Sequence, residues 1–394
     1  MSFAYWASSI LSANQQSSGD IHIGQWHDGI PIFNAFEFIQ VVTEDLNDNS
    51  YALANDIDFS HITASDWPQH KDIIFKGQID GRNRSLSNIN LTDYRGIFGI
   101  LEGAVIKNLV IDQTIINYTL PDNYTSGILA GRLQGQNNII ENIRIRNSQG
   151  INQNVLSGAL IGFASPLTGL GQAEIKNIKI ENTELQGGIS LADYGTGGLI
   201  GTVNNFNILI EDIYIEAKLL STNAHSVGGV IGSVIGSSNV SINRAVVYAN
   251  SEFRAQTNNT SVFVGGFVGR NTSSVLISHA LFTGYMVSHV INPQRNSYTV
   301  RSGILRGSGN NLSFQNVYSS EITIFRRAQN PNILINSSNL YSKLTGQNPG
   351  FSNHVTNRST LTQAWWSQNL NQITSNSSIW FYNENTNLFE LNDE

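Results

Sequence analysis

The 394 residues include only 13% charged side chains against 40% hydrophobic ones, no cysteine, and a net charge of −7 with a pI near 5.6. This excludes disulfides, thiolate metal sites and a cysteine nucleophile, argues against wholesale disorder, and leaves no basic stripe for nucleic acid or an anionic membrane surface. The missing charge is replaced by turn-forming residues, 48 Asn against 7 Lys, a balance that favours an all-β chain with many bends.

In chain order, residues 1–33 read as an extended segment. Its start, Met1 to Ala7, is unusually apolar, and Phe3, Tyr5, Trp6 and Ile10 could add as a strand to an exposed sheet edge of a neighbouring copy. No signal peptide is recognisable, and the apolar start is expected to be a mature terminus left after an export signal is removed. Residues 34–88 read as a cap and first coils. Asn34 is placed as N-cap and Glu37 as N3 of a short helix over 34–43 that lids the first coil. Tyr51 to Phe59 follows as a strand, and Asp80-Gly81 reads as a tight turn before the strand near Leu86.

Residues 89–345 are dominated by a repeat. A five-residue box of Gly, any residue, two large apolar residues and Gly recurs, as in Gly127-Ile128-Leu129-Ala130-Gly131 and Gly228-Gly229-Val230-Ile231-Gly232. Its closing glycines are Gly99, Gly131, Gly162, Gly201, Gly232, Gly269 and Gly307, at intervals of 32, 31, 39, 31, 37 and 38 residues. A near-constant unit with variable excess implies stacked coils joined by loops of unequal length. Period two within the box places both glycines and the first apolar residue on one face, and the glycines mark close approach of another segment.

Each box is followed by an Ile-x-Asn element, as in Ile140-Glu141-Asn142-Ile143-Arg144-Ile145. The alternation after the Asn is that of a half-buried strand. The Asn itself interrupts the period and is expected to form a corner, because Asn tolerates the left-handed region. Asn108, Asn142, Asn177, Asp212 and Asn316 hold this position, with Arg244 and His279 in two later units. Stacked coils would align the Asn side chains into an amide ladder. Residues 346–394, with Ala364-Trp365-Trp366 and Ile379-Trp380-Phe381-Tyr382, read as an aromatic C-terminal cap.

The Gly-x-Leu-Ile-Gly boxes over about residues 50–345 resemble the GLUG repeats of bacterial surface proteins, which also accompany the catalytic domain of M26-type immunoglobulin A1 proteases. Ala54 to Phe59 and Phe75 to Gly81 resemble the segment that often leads into such repeats. The resemblance implies a right-handed parallel β-helix, secreted or exposed on a cell surface, and implies no activity. The protease chemistry of that family resides in a His-Glu-x-x-His helix, and this chain has no such motif. The N-terminal segment is also similar, over a short stretch, to exported proteins of Firmicutes and Mollicutes, including TasA-like fibre subunits.

The expected architecture is therefore an all-β, right-handed parallel β-helix of about seven to nine coils, capped at both ends. No cofactor is expected and no metal site is recognised. Asp56, Asp58 and Asp80 form an acidic group that a β-helix hydrolase could use, although turn formation explains the same residues. His61, His70 and Asp66 share one polar loop. No stretch approaches the ~18 apolar residues of a membrane span.

The favoured expectation is a non-catalytic extracellular or cell-surface protein. Its loops, longest near 185–196, 250–262 and 288–300, would meet a host, matrix or neighbouring surface protein or glycan. The competing expectations are a polysaccharide hydrolase or lyase, and a filament subunit that self-associates by N-terminal strand addition.

Overall fold

The computed structural model describes residues 29–63, 66–68, 72–118, 125–152, 156–187, 195–221, 226–257, 261–290, 299–309, 311–328, 354–355 and 357–392. The chain winds into a parallel β-solenoid. Its strands fall into a 15-stranded sheet, an eight-stranded sheet and a six-stranded sheet, in which strands from successive coils lie side by side. One inward column of the long sheet runs Ile79, Ile106, Ile140, Ile175, Ile210, Ile242, Ile277, each residue opposite the next coil's counterpart. All seven are buried. Stacking identical residues in register is what lets a coil too thin to fold alone share one continuous core.

Among the described residues, six rungs carry a strand on all three faces, from Thr125–Gly127 to Thr299–Gly303 in the six-stranded sheet. The three-faced stack therefore advances five steps, fewer than the seven to nine coils expected. The earlier coils lack a strand of the six-stranded sheet.

The Asn corners form as the sequence predicts. Asn108, Asn142, Asn177, Asp212, Arg244, His279 and Asn316 all have φ between 51° and 55°. Asn142 Nδ2 donates to Asn108 Oδ1 at 2.8 Å, and Asn177 Nδ2 donates in turn to Asn142 Oδ1. The ladder starts on Asp80, whose Oδ1 accepts from Asn108 at 2.9 Å.

The glycine box differs from a flat strand. It is a bend between the six-stranded and eight-stranded sheets, and both of its apolar residues point inward: Leu129 and Ala130, Leu160 and Ile161, and Leu199 and Ile200 are all fully buried. Bending rotates successive side chains toward the inside, which period two cannot describe. The closing glycines hold the two arms of this bend together. A Cβ on Gly162 would stand 2.5 Å from Ser126 N, in the preceding rung's other arm. The second-position glycines face the long sheet instead: a Cβ on Gly229 would meet Val247 and Phe253 at 2.7 Å. Asp80-Gly81 likewise makes no hairpin. Gln78–Ser87 runs on as one parallel strand, bent at Arg82 and Asn83, whose φ values are 50° and 58°.

Helix α1, Ala35–Thr43, lids the first coil as expected. Asn34 Oδ1 accepts from Glu37 N at 3.1 Å, and Glu37 Oε2 accepts from Phe33 N at 2.7 Å, so the reciprocal bond of the capping box falls one residue before the N-cap. Phe38 lies edge-on to Phe59 and Phe98.

Candidate functional site

The sequence-predicted acidic residues are placed at separate corners. Asp56 Oδ1 accepts from Ser85 N and Oγ at 2.7 and 3.1 Å. Asp58 accepts from Asn88, Ser60 N and Ser60 Oγ at 2.8–2.9 Å, and these bonds, Asn88 first, hold its carboxyl below the usual range. Burial would raise Asp80, but Asn108, the Arg82 N–H and Lys107 outweigh it and lower the carboxyl. For Asp58 and Asp80, a lowered carboxyl that accepts corner hydrogen bonds suits corner formation better than proton transfer near neutrality. Among the described residues no three His, Asp or Glu side chains group as metal ligands. Phe3, Tyr5, Trp6, Ile10 and His70 lie outside the described residues.

The aromatic C-terminal residues are gathered in one module, and its place is unexpected. Residues 357–392 comprise helices α2 (Gln363–Asn369) and α3 (Asn371–Thr374) and a hairpin of Trp380–Asn383 with Leu388–Leu391. The module lies on the flank of the long sheet. Its apolar core of Leu361, Trp366, Leu370, Ile373, Trp380, Leu388, Phe389 and Leu391 is continuous with Tyr214, Val246 and Leu281 of the solenoid.

One outward-facing row explains this. Arg144, Lys179, Tyr214, Val246, Leu281 and Tyr318 are successive register partners on the long sheet. Arg144 donates to Asn392 O at 2.6 Å, Lys179 lies 5.9 Å from the Phe381 ring, and Tyr318 meets Trp365 edge-on at 5.1 Å. Corner residue Asp212 joins the same contact: its Oδ1 accepts from Trp380 Nε1 at 2.8 Å while Arg244 binds it bidentately at 2.7 and 2.9 Å. A long sheet that turns from charged to apolar on its outer face needs a cover, and the module supplies it.

Two titratable groups respond to pH with opposite sign. Glu390 is 7% exposed at the docked face. Burial raises its carboxyl above the usual glutamate range, against the bonds from Thr386 and Asn383 and the charge of Lys179. A raised carboxyl contributes stability that is fully present below its ordinary value of 4.5 and lost as pH rises through the docked value. His279, in the coil, is lowered by burial and then by Arg244. Its Nδ1 faces Asn243 Oδ1 and its Nε2 faces the Asn316 amide, each at 3.1 Å, so the network suits the neutral ring. Its contribution is present above 6.5 and lost as pH falls through the lowered value. On acidification from pH 7 toward 5, protection against hydrogen exchange, corrected for the intrinsic rate at each pH, is therefore expected to rise in residues 357–392 and to fall in the coil around 279. Glu390→Gln should abolish the first change and leave the second.

A third feature lies at a second corner, beyond the Ile-x-Asn element. Five residues after Asn108, Asn142 and Asn177, the chain bends again at Gln113, Asn147 and Asn182, with φ of 49°, 51° and 44°. Asn182 Nδ2 donates to Asn147 Oδ1 at 2.8 Å, and Asn147 Nδ2 to Asp112 Oδ1 at 3.0 Å, making a parallel ladder. The signal was available as the Asn that follows Ile-Arg-Ile-Arg and Ile-Lys-Ile-Glu. Beyond Asn182 the ladder stops at a cleft of about 230 Å³, lined by Asn147, Ser148, Gln149, Asn182, Thr183, Glu184, Glu216, Ala217 and Lys218.

Fold and module together define a parallel β-solenoid with a laterally docked C-terminal module. No protein-family profile matches the sequence, and no curated protein matches it. Among solved structures, the chain is similar to a protein from Bacteroides ovatus described as a "putative immunoglobulin A1 protease", with TM-score 0.51, 16% identity and 92% of each chain covered. That likeness shows the fold alone. A structure described as IgA1 Protease gives TM-score 0.49 at 15% identity over 74% of this chain and 21% of that one, too low to carry an argument.

Proposed function

We propose that the chain is a non-catalytic extracellular display protein, a GLUG-type solenoid that presents a row of loops to a partner for adhesion or assembly. The observation that carries this reading is where length varies. The bend between the six-stranded and eight-stranded sheets is always two residues, as at 128–129, 159–160 and 266–267. The connections from the long sheet to the six-stranded sheet vary in length, from three residues at 153–155 and 258–260 to eight at 291–298, and the strand ends they join lie along one edge; the stretch 250–262, expected as a long loop, is mostly strand, Asn239–Thr257 and Ser261–Gly265. The connections from the eight-stranded to the long sheet vary as well, from Asn205 alone to residues 165–170, so only the two-residue bend is constant, and the edges of variable length suit recognition.

The carboxylates favour this over a glycan-cleaving enzyme, since Asp56, Asp58 and Asp80 are each engaged at a corner. Assembly is the second reading. Ile30, Phe33, Phe36 and Leu46 are each more than half exposed at the N-terminal end, where strand Ile30–Ile32 has one described neighbour, Ser50–Leu53.

Shortening the three longest of the connections from the long sheet to the six-stranded sheet, at 119–124, 188–194 and 291–298, one at a time is expected to leave the urea midpoint nearly unchanged, since surface loop length alters closure entropy by only about 0.6 kcal/mol per doubling. At least one should lower attachment of the protein to cells or matrix several-fold. Attachment unchanged in all three would sink the display reading.

A further inference from the structure

The cleft beside Asn182 has a definable cause. From Ile145 to Gln149 and from Ile180 to Glu184 the chain takes four residue steps, but the register partners in the next coil, Ile215 and Lys218, are three apart. That coil is one residue short at the corner, and the residue it lacks is the next rung of the Asn ladder. In the coil after it, the partners of Ile215 and Leu219 are Val247 and Phe253, so the corner there is two residues longer. A short corner between full ones leaves a notch. Asn182 donates down the ladder through Nδ2, and no described group donates to its Oδ1.

The lining sets the chemistry of what fits. The missing rung would have presented an amide N–H to Asn182 Oδ1. Around that point stand the Ser148 and Thr183 hydroxyls, the Asn147 and Gln149 amides, and the Glu184, Glu216 and Lys218 side chains. Lys218 Nζ and Gln186 Nε2 hold Glu184 at 3.1 and 3.0 Å, so this carboxylate is fixed in place. Two carboxylates against one ammonium make the notch net acidic and disfavour an anionic ligand. Mixed donors and acceptors with little apolar wall match hydroxyl groups. The volume lies below the ~300–1,000 Å³ of drug-sized pockets, so it suits one unit of a polymer.

We propose that this notch binds a single N-acetylated sugar unit of an uncharged glycan, whose amide N–H takes the place of the missing Asn rung. The ring hydroxyls then meet Glu184, Glu216 and Lys218. With no aromatic platform in the lining, binding is weak, on the order of millimolar, and gains strength only when a polymer or a surface presents many units. The site is separate from the loop-bearing edge, so it stands or falls independently of the loop deletions.

Saturation-transfer NMR on the full chain with N-acetylglucosamine, glucose and glucuronate tests it. Transfer to the acetyl protons of N-acetylglucosamine is expected, with severalfold less to glucose and none to glucuronate. Asn182→Ala removes the acceptor, and an Asn inserted between Glu216 and Ala217 refills the rung; each should abolish the signal while circular dichroism stays that of the parent. Equal transfer to glucose and N-acetylglucosamine, stronger transfer to glucuronate, or a signal that survives both changes would overturn the proposal.

Discussion

Gly162→Ala is expected to be strongly destabilising for a change of one methyl group. The added carbon would lie 2.5 Å from Ser126 N and 2.7 Å from Ser126 C and O. These are backbone atoms of the opposite arm of the bend and cannot rotate aside as a side chain can. Relief requires the arms to separate, and both are tied to neighbouring coils: Ala130 N donates to Leu160 O, and Leu160 N to Leu199 O, each at 3.0 Å. A shift in one coil therefore loosens the coils on either side.

Overpacking a core typically costs about 1–3 kcal/mol, and a rigid backbone clash belongs at or above the top of that range. That is a large share of the ~5–15 kcal/mol that holds an ordinary domain. The urea midpoint should fall accordingly. Gly169→Asn is the control. Gly169 has φ +68° and no atom within 4 Å of an added Cβ, and Asn adopts that region at the ladder corners. It should cost less than about 1 kcal/mol. Equal losses in the two variants would mean that backbone freedom, and not close approach, is what the box glycines provide.

Much of the fold was legible because a solenoid repeats its errors as well as its rules. Ile-x-Asn-apolar-x-apolar recurs often enough for the corner, the inward column and an Asn108–Asn142–Asn177 ladder to be read from spacing alone, whereas Asp80 at its start reads as a turn residue and is placed in the ladder only by the structure. The box was misread because the bend at 128–129 leaves both Leu129 and Ala130 facing inward, while a continuous strand would alternate them.

The docking surface was missed for a different reason. In Ile143-Arg144-Ile145 and Ile178-Lys179-Ile180 the outer residue is charged, as a half-buried strand requires. In Ala245-Val246-Val247 and Ala280-Leu281-Phe282 it is apolar, the mark of a strand covered on both faces. Treating that position as any residue erased the change, and the aromatic module was assigned to the end of the stack and not to its side. The notch could not be read at all without register, since it is one residue missing between Ile215 and Lys218.

The module's position yields the second large effect. Trp380 is 1% exposed and sits where the module meets the coil, its ring in the shared apolar core and its Nε1–H on Asp212. Removing a buried Trp side chain costs about 3–5 kcal/mol. Trp380 belongs both to the module's own core and to its seat on the coil, where Tyr214, Val246 and Leu281 join the same cluster, so its loss opens both at once. Trp380→Ala is therefore expected to release residues 357–392 as a unit. They should become open to brief proteolysis, while the coil, whose stability comes from stacking, stays resistant.

Trp380→Phe separates the two contributions. It keeps most of the ring and loses the hydrogen bond. Asp212 retains its paired bonds from Arg244 Nε and NH2, so no buried charge is left without a partner and the cost should be near the ~0.5–1.5 kcal/mol of a single hydrogen bond. The expected order of protection for residues 357–392 is then wild type, Trp380→Phe, Trp380→Ala. A module in Trp380→Ala as protected as in wild type would mean that Arg144 and Asn392, with the Tyr318–Trp365 contact, suffice to hold it. The apolar stripe on the coil would then have to be explained by some other cover.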